Sequence, residues 1–177
     1  MTKTLWKPLA GMLVFFAIST AQAANLKDDE IVAVVSTANI AEINAAKLAT
    51  ANASNTKVKD FAEHMIKDHK DMDAQMGQLA VKLKLNPTPS DKSESMKSEA
   101  NADLQKLKAT PKGLTFDKQY IESQVKDHQK VLELVQNELI PSARNDQLKS
   151  LLQKSGKKIA DHLKQAQQLQ TELSGNH

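Results

Sequence analysis

Three histidines placed in apolar helical seams are the residues of this chain best suited to chemistry. His69, His128 and His162 each follow an aspartate, Asp68, Asp127 and Asp161. The first two close a pattern written twice. Phe61-Ala62-Glu63-His64-Met65-Ile66-Lys67-Asp68-His69 is echoed by Tyr120-Ile121-Glu122-Ser123-Gln124-Val125-Lys126-Asp127-His128. The seams alternate steps of four and three residues: Val58, Ala62, Met65, His69, Met72, Met76 around the first, and Ile121, Val125, His128, Leu132, Val135 around the second. Leu152, Ser155, Ile159, His162, Ala166 and Leu169 surround the third. Three helices therefore turn one imidazole each toward a common core.

A buried ring nitrogen without a partner costs about 1–3 kcal/mol, so three of them at one level demand something that satisfies them. One answer is a transition-metal ion held by His69, His128 and His162, with Glu42 as a fourth, carboxylate ligand. Zinc, iron, copper and manganese all accept nitrogen and oxygen donors of this kind. The other answer is a metal-free network in which the imidazoles bond one another, Glu42, Ser155 or water and hold the helices in register. With a rise of about 1.5 Å per residue, His69 lies roughly 21 Å into its helix and Glu42 roughly 20 Å from the end of its own. His128 and His162 fall within about one turn of that level.

The aspartates before the histidines sit about 100° around each helix, which suits them to support the imidazoles rather than to ligate. Asp161 fits a solvated face. Asp73, one turn beyond His69, is a substitute for Glu42. A di-iron carboxylate site needs Glu-x-x-His on two helices, and this chain contains none, so an oxidase is not expected. Met65, Met72 and Met76 flank His69 at a spacing typical of core filling. Nucleophile elbows, phosphate loops and zinc-protease helices are missing from the sequence. So is cysteine, which excludes disulfides, thiolate metal sites and covalent haem attachment. His64 and His177 lie off the seams and are expected to face water.

The elements that must position these groups are four long helices. The first is predicted over 28–52, opened by Asp28, Asp29 and Glu30, with Ile31, Val34, Val35, Ala38, Ala41, Ala45, Leu48 and Ala49 on its inner face. Its many alanines let a neighbour approach closely. Asn52 to Thr56 breaks the chain, and a second helix runs to about Leu85, where Asn86-Pro87-Thr88-Pro89 stops it. Residues 90–109, capped by Ser90, carry only a thin stripe of Met96, Ala100, Leu104 and Leu107 and read as a short crossover helix on the outside. The third long helix spans Phe116 to about Leu139, capped by Thr115. The fourth follows the tight turn Pro141 to Asn145 and continues to about Leu173; Gly156 within it marks either a close contact or a glycine tolerated at a cost of about 1 kcal/mol. Two hairpins joined by a crossover helix is the plan of a ferritin-like four-helix bundle, all-α, with the second and third long helices parallel.

Residues 1–23 have the form of a secretory signal peptide: Lys3 and Lys7, an apolar run from Leu9 to Ile18, and Ala21-Gln22-Ala23 before the cut. About ten apolar residues are too few for a bilayer core that needs roughly 20, so no transmembrane anchor is expected after cleavage. Loss of Lys3 and Lys7 lowers the formal charge of +3 by two and leaves residues 24–177 as one nearly neutral domain without a basic block. Nucleic acid is therefore not an expected partner. Phe61, Phe116 and Tyr120 are the aromatic residues that remain, which suits helices better than a sheet.

The run Asn55, Val58-Lys59-Asp60-Phe61-Ala62, Met65, Asp68-His69 and Leu79-Ala80, continued by Phe116-Asp117, Tyr120, Asp127-His128 and Asp161-His162-Leu163, resembles the exported bacterial family known as domain of unknown function 4142. The resemblance covers nearly all of the mature chain. It implies a ferritin-like fold in the periplasm or at the outer membrane, and no activity. The function expected is transition-metal binding in metal handling or envelope stress, set against a metal-free structural or interaction module of the envelope with an unidentified protein partner.

Overall fold

A computed structural model describes residues 25–175. The signal peptide expected at residues 1–23 and the expected water-facing His177 lie outside them. The described residues form five helices and no strand: α1 (Asp28–Asn52), α2 (Thr56–Leu83), α3 (Asp91–Ala109), α4 and α5 (Asp146–Gly175). Helix α4 runs Leu114–Leu134 and continues through a π-helical turn, Val135–Leu139, into Ile140–Ser142.

Local chemistry sets these boundaries. The Asn55 side chain accepts from the backbone N–H groups of Lys57 and Val58, and Asn145 does the same for Gln147 and Leu148. Ser90 and Ser93 cap α3 reciprocally. Helix α2 ends two residues earlier than expected, because Lys84 turns left-handed (φ 56°) and the Leu85 N–H closes back on the Ala80 carbonyl. Gly113 (φ 98°) precedes α4, so that helix begins at Leu114 and Thr115 lies inside it rather than capping it.

Two carboxylates tie the hairpins to each other. Asp117, at the start of α4, accepts from Ser54 N–H, Ser54 Oγ–H and Asn55 N–H in the α1–α2 turn. Asp28, at the start of α1, accepts from Arg144 and Asn145 in the α4–α5 turn, while Asp29 binds the Asn86 N–H after α2. These bonds bring the starts of α1 and α5 to one end of the bundle and those of α2 and α4 to the other. Helices α2 and α4 therefore run parallel, and α3 carries the chain back between them.

Helix α1 packs on α2 and α3, α4 on α5, and α2 on α5. The interior holds two apolar clusters, one around Ile31, Val34, Met76, Leu139 and Leu152, the other around Ala46, Phe61, Met65, Tyr120 and Ile121. The buried side of α1 keeps Ile31, Val34, Glu42 and Ala49, as expected, but adds Asn39 and Ala46, whereas Ala38, Ala41, Ala45 and Leu48 are only half-buried. Packing of α3 against α1 explains the difference, since it gives α1 a second covered side. Helix α1 is also long and apolar enough to cross a membrane by composition, but it lies within the bundle.

Candidate metal centre

Between the two apolar clusters lies a polar layer to which all four long helices contribute. The rings of His69 on α2, His128 on α4 and His162 on α5 have centroids 5.3–5.7 Å apart. One ring nitrogen of each lies within 4.8 Å of one on the other two. They are 4%, 1% and 1% exposed. The three histidines thus share one level of the bundle, as their axial positions imply.

Each imidazole spends one nitrogen on an acceptor. His69 Nδ1 lies 2.9 Å from Asn39 Oδ1, His128 Nδ1 donates to the Gln124 carbonyl at 3.0 Å, and His162 Nε2 lies 2.9 Å from Asp68 Oδ2. A neutral imidazole whose N–H is used in this way keeps its lone pair on the other nitrogen. Those nitrogens, His69 Nε2, His128 Nε2 and His162 Nδ1, have no partner. Burial pushes the His69 imidazole down to about 2, helped by His128 and His162, and pushes His128 and His162 down to about 4. All three are neutral over the physiological range.

Glu42 on α1 is 8% exposed and stands beside the triad, outside the cluster of mutually close donors. Its Oε2 accepts from Gln124 Nε2 at 2.8 Å, and its Oε1 lies 3.9 Å from His128 Nδ1. Burial lifts its carboxyl to about 7, against the pull of the Gln124 bond. Asp73 is engaged by the Ser36 hydroxyl instead, and Asp161 is exposed.

Asp68 supports an imidazole, but not that of its neighbour. It holds His162 from the adjacent α5, and Lys158 Nζ (3.2 Å) and His64 Nε2 (3.0 Å) approach the same oxygen. Burial pushes the Asp68 carboxyl up, but the bonds from His162 and Lys158 and the neighbouring His64 outweigh it and hold it at about 2. His64 is 47% exposed, as its place off the seam implied.

Sequence reasoning missed Asn39 and Gln124 as parts of this layer. A signal existed for both: Asn39 lies one turn before Glu42, and Gln124 one turn before His128. Asn39 Nδ2, Gln124 Oε1 and the Tyr120 hydroxyl join the three imidazole nitrogens as the buried side-chain polar atoms without a partner among the described residues. Five of these six atoms belong to the three histidines, Asn39 and Gln124, the residues of this one layer. An apolar cavity of about 30 Å³, lined by His69, His128, Glu42, Asn39 and Ser155 among aliphatic side chains, adjoins it.

The family model of DUF4142, a domain of unknown function, matches residues 16–169. No curated protein matches this chain in sequence. Among solved structures, a DUF305 protein from Streptomyces coelicolor, assigned as secreted, is similar with a TM-score of 0.67 and 12% identity, covering 84% of this chain and 96% of that one. At that identity the likeness is one of fold.

Proposed function

The chain belongs to the DUF4142 family, and from that premise and the polar layer we propose that it is an exported, ferritin-like helical bundle that binds one transition-metal ion in metal handling or envelope stress tolerance. The ligands are His69, His128 and His162, through the nitrogens that have no protein partner. Glu42 is the fourth ligand, once it lets go of Gln124. The observation that carries this reading is the gathering of five of the six partnerless buried polar atoms of the described side chains on three neutral imidazoles and on Asn39 and Gln124 beside them. Apolar packing alone does not assemble three imidazoles with a ring nitrogen of each within 4.8 Å of one on the other two.

The donor set suits zinc, copper, iron or manganese, with imidazole favouring the first three. Asp68, bonded to His162, orients a ligand and raises its basicity in the manner of carboxylate–histidine pairs at metal sites. Two antiparallel hairpins joined by α3, with α2 parallel to α4, support the ferritin-like reading. Residues 1–23 are the export signal, and 24–177 are the mature periplasmic domain.

The test is metal content. Protein purified from periplasm and titrated with each metal in turn is expected to hold one ion per chain by elemental analysis. His69→Ala and His128→Ala abolish that uptake, and Glu42→Gln lowers affinity by roughly 10–100-fold. Wild-type protein that takes up none of the four metals above background overturns the reading and leaves the histidines as a structural network.

A further inference from the structure

The polar layer meets the surface on two sides of opposite charge. On the α2–α5 side, Asp68 is shielded by Lys158, with Lys67 Nζ at 3.9 Å and His64 outside it. Positive charge there opposes the approach of a cation. On the α1–α3–α4 side the charges are reversed. A second cavity, of about 70 Å³, is lined by Glu42, Glu99, Asp103, Asp127 and Lys130. It shares Ala38, Glu42, Met96 and Val131 with the inner cavity that His69 and His128 line. The two are therefore neighbouring chambers with Glu42 in the common wall.

The carboxylates are graded in burial. The Asp103 side chain is 40% exposed, Asp127 is half-buried and Glu42 is buried. Glu99 pairs with Lys130, and Asp103 approaches Lys126 at 3.7 Å. Asp127 has no hydrogen-bond or ion-pair partner among the described residues. Small side chains make the gap: Ala38 and Ala41 on α1 face Ala100 on α3 across it. Two partnerless nitrogens, His69 Nε2 and His128 Nε2, belong to residues that line the adjoining inner cavity.

Resting on the metal-binding reading above, we propose that this gap between α1, α3 and α4 is the path by which a divalent cation reaches the core. Asp103 and Asp127 draw the ion inward, and Glu42 passes it to His128 and His69. The path gives the crossover helix a role in loading, since α3 supplies the outer wall. It also accounts for the alanines of α1 that the helix core does not bury.

The experiment is stopped-flow loading of metal-free full-length protein with Co²⁺, read from the visible absorption of the bound ion, with equilibrium dialysis for stoichiometry. Asp103→Asn/Asp127→Asn is expected to slow loading at least tenfold while leaving the bound stoichiometry unchanged. Ala41→Leu, which fills the gap without changing charge, is expected to slow it as well. Asp71→Asn/Glu63→Gln, which removes the same two negative charges from the outer surface of α2, is the control and loads at the wild-type rate. Wild-type rates in both gap variants, an equal slowing in the outer-surface control, or loss of stoichiometry in the aspartate double variant overturns the path while the metal site stands. A wild-type protein that takes up no Co²⁺ or other metal overturns both.

Discussion

Neutral imidazole is the species that binds a metal, and burial keeps His69, His128 and His162 in that state. The same burial makes the metal-free fold sensitive to acid. Below pH 6.5 the unfolded chain takes up protons that the folded imidazoles refuse, so their contribution to stability is lost as pH falls from 6.5 toward about 4, and further for His69. Glu42 and Asp127, both raised to about 7 by burial first of all, act in the opposite sense: between about 4 and 7 they hold protons that the unfolded chain has released. Removing one of them should therefore steepen the loss. In chelator-treated protein, urea midpoints of Glu42→Gln are expected to drop more between pH 7 and 5 than those of wild type, and parallel profiles would refute the raised ionisation of Glu42. Asp68 acts through His162, so Asp68→Asn is expected to weaken metal binding roughly 10–100-fold by isothermal titration with the stoichiometry kept. Asp68 was legible as a supporting carboxylate from its place beside His69, but the imidazole it supports belongs to another helix.

Helix limits follow from local residues, which is why α1, α3, the break of capping residues before α2 and the cap at Ser90 were readable. The interior side of α1 was readable at Ile31, Val34, Glu42 and Ala49 but not at Asn39 and Ala46, because Asn39 interrupts its apolar pattern and α3 packs on a further side. The π-helical turn of α4 carries no marker beyond Pro141, which has no N–H to continue the ladder. It lies where Gly156 of α5 comes close: a Cβ there would stand 3.4 Å from Val135 Cγ1, which favours a close contact over a merely tolerated glycine. The hairpins are joined by the exchange of Asp28 and Asp117 between turns. Asp117 is fully buried and serves three donors, so Asp117→Ala is expected to cost about 2 kcal/mol, read as a lower urea midpoint with an unchanged slope. No loss would mean that water replaces the carboxylate.

At the scale of the whole molecule, the polar layer interrupts the apolar core midway along the bundle, and an ion there would join all four long helices. A ligand that binds only the folded state at a hundred times its dissociation constant adds about 2.7 kcal/mol, or roughly 5–10 °C in Tm for a chain of this size. That shift is expected in calorimetry of the wild type with its metal and should vanish in the triple variant His69→Ala/His128→Ala/His162→Ala; an equal shift in that variant would put the ion elsewhere. The sequence by itself determined the helices, their parallel and antiparallel order and the common level of the three histidines. Rise per residue and capping are local properties, and the axial position of a side chain follows from counting. Only the tertiary structure decided how each helix is rotated about its own axis. That rotation buried Asn39 beside His69, joined Asp68 to His162, set Glu42 against Gln124 and left the gap beneath α3. It depends on which neighbours cover a helix, and that is a long-range property that no window of sequence contains.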